Sequence, residues 1–187
     1  MKTIAQWFLM MVVSLALTGC ATMRPEECMV ADWALIGELD AREGRTASHF
    51  ARRAKDCAEA GYPADQASWY QGWEQGLVHF CTRTRGYRFA RDGQGYESIC
   101  PAALEADFFV GYDLGRQTHD AEQDVEQLRR QLDVLDEEIR KQIKDGTLSD
   151  EELAELRMEQ RRLDRRLRSA ELRLAELIGR AQGLGLL

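Results

Sequence analysis

The chain has 187 residues, enough for one domain with its own core and an appendage. With 25 Lys+Arg against 32 Asp+Glu its formal charge is −7, so it lacks the basic balance that nucleic acid requires and no nucleic-acid partner is expected. Hydrophobic residues at 44% and only three prolines exclude wholesale disorder, and charged residues at 30% with few breakers favour helix.

Lys2 precedes an apolar run of 14 residues, Ile4 to Leu17. That length suits the hydrophobic region of a signal peptide and falls short of the roughly 18 residues of a membrane-spanning helix. Leu17-Thr18-Gly19-Cys20 follows at once and resembles the lipobox of bacterial lipoproteins. The resemblance implies a signal peptide over 1–19, acylation of Cys20 with palmitate-type chains, and a lipidated tether over 20–27. Two acyl chains already anchor a protein stably to a membrane. Residue 21 is Ala rather than Asp. In lipoproteins of the enterobacterial type this implies sorting to the outer membrane, with the chain facing the periplasm.

Cys28, Cys57, Cys81 and Cys100 remain, an even number in an oxidising compartment. They lie with Trp33, Trp69, Trp73 and every Tyr between Met23 and Arg116, after which no Cys, Trp, Tyr, Phe or Pro occurs. This break divides a four-cysteine core, 28–116, from a charged tail, 117–187, and the absence of a linker predicts one helix running across it. In the core, Asp32 is placed to cap a helix ending at Gly44. Thr46 or Ser48 starts a second, with a stripe of Phe50, Ala51, Ala54, Cys57 and Ala58 and a stop at Gly61. Pro63 and Asp65 open a third through Trp69, Trp73, Leu77 and Phe80. Gly86 to Ser98, with Asp92-Gly93 and Gly95, reads as a turn-rich piece or small β-hairpin, and Pro101 opens the next helix.

Small residues four apart recur at Gly37/Ala41, Gly72/Gly76 and Gly111/Gly115. Such pairs share a helix face and let another backbone approach. Tight helix crossing is the simpler reading. The functional one is an aromatic-lined groove for a glycan or peptide, formed by Trp33, Trp69, Tyr70, Trp73 and Tyr112.

The order Cys28…Asp32-Trp33…Gly37, Cys57…Gly61…Tyr70…Gly72…Gly76, Cys81, Gly86, Gly95-Tyr96…Cys100-Pro101…Phe108…Gly111-Tyr112…Gly115 resembles a family of small Gram-negative lipoproteins catalogued only as a domain of unknown function. Ala41 stands where that pattern favours Gly. The resemblance supports a lipid-anchored, four-cysteine core and implies no activity.

Three disulfide connectivities are open. Cys57 and Cys81 fall near the C-terminal ends of consecutive helices, too far apart in an antiparallel pair for bridged Cα atoms to come within about 7 Å. Of the other two, 28–57 with 81–100 is preferred over 28–81 with 57–100 because both bridges close short loops.

Chemistry-bearing motifs are absent. His49, His79 and His119 form no H-E-x-x-H, no C-x-x-C occurs, and there is neither a nucleophile elbow nor a phosphate loop. Asp32, Asp40, Asp65 and Asp107 read as caps or solvated charges. No catalytic residue, metal or cofactor is expected.

The tail carries a heptad. Thr118, Ala121, Val125, Leu128, Leu132, Leu135, Ile139 and Gln142 alternate steps of three and four, and after the turn at Asp145-Gly146 the series resumes. Leu153, Leu156, Gln160, Leu163, Leu167, Ala170, Leu174 and Leu177 continue it. Folding at the turn pairs Gln142 with Leu153, Ile139 with Leu156, and so on to Thr118 with Leu177, an antiparallel coiled-coil hairpin. Arg161, Arg162, Arg165, Arg166 and Arg168 lie opposite Asp133, Asp136, Glu137 and Glu138. This reads as a salt-bridged face, or as a basic stripe for lipid headgroups or an acidic partner.

The fold class expected is mainly α: a small disulfide-stapled helical core continuing into a coiled-coil hairpin. The function expected is a non-enzymatic, lipid-anchored envelope protein that contacts a protein partner through the hairpin. The alternative is a periplasmic glycan- or peptide-binding module.

Overall fold

The computed structural model describes residues 22–187, so the signal peptide expected over 1–19, and Cys20, lie outside the described residues. Seven helices and no strand occur among them. They are α1 Pro25–Met29, α2 Trp33–Arg42, α3 Ser48–Glu59, α4 Gln66–Phe80, α5 Arg83–Arg91, α6 Ala102–Asp145 and α7 Asp150–Gly183. None is long and apolar enough to cross a membrane. The chain divides into two compact units, one ending at Leu77 and the other starting at Val78.

Local chemistry sets the helix ends. Asp32 accepts the Leu35 N–H at 3.0 Å at the start of α2, Asp65 accepts from Ser68 before α4, and Thr82 accepts from Arg85 before α5. Ser149 and Glu152 form a reciprocal capping box at the start of α7. Gly146, at φ 65°, takes the left-handed conformation that closes α6. α6 itself runs unbroken through Arg116.

In the first unit, Gly37 and Ala41 of α2 meet Gly72 and Gly76 of α4. A Cβ on Gly37 would fall on the Trp69 carbonyl, and one on Gly72 on the Ala34 carbonyl. The second unit repeats this. A Cβ on Gly86 of α5 would fall on the Phe108 carbonyl, one on Gly111 of α6 on the Arg83 carbonyl, and one on Gly115 on that of Tyr87. Gly76 approaches Glu38 and Ala41, and Gly115 approaches Tyr87 and Ala90, at matching positions. The small-residue motif therefore occurs four times, as two crossing pairs. Gly86-x-x-x-Ala90 is the copy that the three-member series omits.

The disulfides follow the same plan. Cys28–Cys57 joins α1, which precedes α2, to α3, which precedes α4, with Cα atoms 5.4 Å apart. Cys81–Cys100 joins the segments ahead of α5 and α6 at 5.6 Å. This is the connectivity preferred from the sequence.

No β-hairpin forms over Gly86–Ser98, because Gly86 is spent on a helix crossing and Asp92-Gly93 ends α5 instead of turning a strand. A turn-rich stretch remains only from Asp92 to Cys100. The inner face of α3 also differs from the expected stripe. His49 and Cys57 are buried and Arg53 partly so, whereas Ala51 and Ala58 are exposed.

In the second unit, Tyr87, Leu114, Ala121, Leu177, Ala181 and Leu186 form one apolar cluster, joined by Leu174. Farther along, Arg129 pairs with Glu171 at 2.7 Å, and the Gln160 amide donates to Asp136 at 2.7 Å. These contacts run in opposite order along α6 and α7, so the two helices pack side by side and antiparallel.

Candidate functional sites

Four of the five residues of the expected aromatic groove sit together in the first unit. Trp69 is fully buried, its ring 5.4 Å from Phe50, 5.2 Å from Tyr70 and 6.1 Å from Trp73, and Trp33 packs on Phe50 at 5.9 Å. The indole N–H of Trp69 donates to Asp40 at 3.0 Å and that of Trp73 to the Arg45 carbonyl at 2.9 Å. The Trp69 and Trp73 donors are therefore engaged within the fold, while Tyr70 remains exposed. Tyr112 belongs to the second unit, among Tyr96, Phe108 and Phe109, where its hydroxyl donates to the Gln94 carbonyl and accepts the Tyr96 N–H.

Asp40 is neither a cap nor solvated. It is 1% exposed and accepts Arg53 Nε at 2.9 Å, Arg53 Nη2 at 2.6 Å and the Trp69 indole. Such a bidentate, hydrogen-bonded partner offsets the cost of burying a carboxylate. Asp32 and Asp65 do act as caps, and Asp107 forms an exposed pair with Arg83. His49 lies 3.8 Å from Asp40 and accepts from Arg52 through Nδ1 at 2.6 Å. Because arginine only donates, Nδ1 must be unprotonated and Nε2 carries the hydrogen. Burial, opposed by Asp40 and reinforced by Arg53, Arg52 and Arg45, pushes the His49 pKa below its ordinary value. A nearby carboxylate, Asp56, accepts the N–H and hydroxyl of Thr22 at 2.6 Å, which holds its pKa low.

The sequence does contain a signal for this network. His49, Arg53 and Cys57 recur every four residues on one helix face, and Asp40 sits between the small residues Gly37 and Ala41. Reading Asp40 singly misses it, because the partners come from α3 and α4.

A second feature lies between α6 and α7. A groove of about 520 Å³ is walled by Arg162, Arg165, Arg166 and Arg173 on one side and by Gln127 and Gln131 on the other, with Asp124 as its one carboxylate. The arginine run of α7 does not pair with the acids of α6, although Arg129 of α6 reaches Glu171 of α7. Arg162 pairs with Glu159 and Arg140 with Glu137, each within its own helix, and Glu138 binds Gln142. Arg165, Arg166 and Arg173 have no ion pair among the described residues. Nor is any cluster of three His, Cys, Asp or Glu placed to hold a metal there.

Residues 32–117 match the family model described as protein of unknown function (DUF2799). The match covers 86 of the 187 residues, just under half of the chain. It starts at the Asp32 cap, takes in both glycine crossings and the Asp40 network, and ends within α6. Cys28 lies just outside it, although its disulfide partner Cys57 lies inside. The arginine-lined groove, built from residues 124–173, lies wholly beyond the DUF2799 segment. No curated protein and no solved structure matches the chain.

Proposed function

We propose that the protein is a non-enzymatic, lipid-anchored envelope protein, tethered through Cys20 to the periplasmic face of the outer membrane. Its DUF2799 core would hold out a coiled-coil hairpin over 117–187 for contact with another envelope protein. The observation that carries the reading is the cysteine pairing. Cys28, Cys57, Cys81 and Cys100 bond to one another, so Cys20, directly after the lipobox residues, stands outside both bridges. Two structural disulfides also suit an oxidising compartment.

Support for the coiled coil comes from burial. All sixteen heptad positions from Thr118 to Gln142 and from Leu153 to Leu177 are buried or half-buried, while Val134, Met158 and Leu172 between them are exposed. The alternative, a glycan- or peptide-binding groove, loses support because the Trp69 and Trp73 indole donors are already engaged.

Cys20→Ala tests the anchor. The substituted chain should lose palmitate labelling and leave the membrane fraction, and normal labelling would overturn the assignment. Crosslinking from intact envelopes, compared with a chain whose hairpin carries Leu128→Asp and Leu163→Asp, tests the contact role. Partners captured equally by both chains would refute it.

A further inference from the structure

We propose that the groove between α6 and α7 is a binding site for a phosphate-bearing anion. This goes beyond the reading above and requires neither the acyl chain nor the protein partner.

The argument starts from spacing. Arg162, Arg165, Arg166 and Arg173 fall at steps of three, four and seven, so all four guanidinium groups project from one face of α7. The neighbouring helix contributes amide side chains and a single acid, Asp124. Ala170 and Leu128 also line the groove, and Ala170 fills less of the seam than the leucines at neighbouring positions, which leaves room for a ligand. At about 520 Å³ the groove falls within the size range of small-molecule sites, roughly 300–1,000 Å³.

Charge narrows the occupant. The whole chain carries 32 acidic residues against 25 basic ones, so carboxylates are in surplus. Even so, three arginines of this groove have no carboxylate partner among the described residues. Like charges gathered on one helix face repel, and a bound anion relieves that repulsion. A lone carboxylate would neutralise one arginine. A phosphate or pyrophosphate group offers several oxygens and at least two negative charges in a compact volume, and guanidinium forks match such oxygens in pairs. The shared chemistry is phosphate, whether from a soluble compound or a phospholipid headgroup.

The test uses the full chain and three charge variants. Pyrophosphate is titrated calorimetrically into the wild type, into R165E/R173E and R165Q/R173Q, which alter the groove, and into R161E/R168E, which alters arginines outside it. Far-UV dichroism checks that each variant keeps its helices. The groove variants should bind about tenfold or more weakly, and R161E/R168E should stay close to wild type. Wild-type binding should also weaken as salt rises. Sedimentation with phosphatidylglycerol against phosphatidylcholine vesicles forms the second arm. A phosphatidylglycerol preference lost only in the groove variants, without pyrophosphate binding, assigns the groove to lipid headgroups. Binding of neither probe, or equal loss in R161E/R168E, overturns the proposal. Because the titration needs no acylation, its failure leaves the anchor assignment standing, and a soluble Cys20→Ala chain leaves the groove proposal standing.

Discussion

Asp40 accepts the indole N–H of Trp69 at 3.0 Å while both its oxygens hold Arg53. One buried carboxylate thereby ties α2 to α3 and α4. Asp40→Ala would strand a guanidinium and an indole donor, and should cost about 3–5 kcal/mol. Trp69→Phe removes the hydrogen bond, leaves the ion pair, and also trims the buried ring, and should cost about 1–3 kcal/mol. Urea denaturation followed by tryptophan fluorescence distinguishes the two. If Asp40→Ala proves as stable as wild type, the network contributes nothing.

The two glycine crossings make a matched prediction. Gly72→Ala and Gly111→Ala place a methyl group against backbone carbonyls that cannot rotate away. Each should destabilise by about 1–3 kcal/mol, as overpacking does. Gly179, in α7, has open space around it, and Gly179→Ala should stabilise by up to ~1 kcal/mol through helix propensity. Thermal melts of the three variants give the signs directly.

His49 confers pH dependence. Its pKa in the fold lies below the ordinary 6.5, because burial and the surrounding Arg45, Arg52 and Arg53 outweigh Asp40. The unfolded chain therefore binds its proton first as pH falls. The stability contributed by neutral His49 is full above about pH 6.5 and is lost as pH drops through the folded value. His49→Gln keeps an acceptor for Arg52 and cannot be protonated. The stability difference between wild type and His49→Gln, measured from about pH 8 to 5, should move against the wild type on acidification. A difference that stays constant with pH would contradict this.

Each disulfide should make its own contribution. Removing Cys28–Cys57 or Cys81–Cys100 by paired serine substitution should cost about 3 kcal/mol, with loops of similar size on both sides. Peptide mapping of the unreduced chain should give the linked pairs 28–57 and 81–100 and no free thiol at these four positions.

The helical class, the Asp32 cap and the cysteine pairing were all readable in the chain, because each rests on local chemistry or on loop length. Arg83–Arg91 was not. Gly86 and Asp92-Gly93 have turn composition, and only the partner helix shows that Gly86 serves close approach. The Asp40 network was hidden for a similar reason. An aspartate reads as exposed until Arg53, 13 residues on, is seen to turn inward. The arginine run was visible, but whether acids on the opposite helix reach it depends on side-chain geometry that periodicity does not specify.

The order of the disulfides bears on how the molecule matures. The four bridged cysteines pair consecutively along the chain, Cys28 with Cys57 and Cys81 with Cys100. A chain emerging from its N-terminus presents them in that order, so an oxidase acting on each thiol pair as it appears produces the native bridges without reshuffling. Acylation at Cys20, on the reading proposed above, would remove the one thiol that precedes them and would otherwise compete for Cys28. Maturation would then call for an oxidant, with no need for an isomerase.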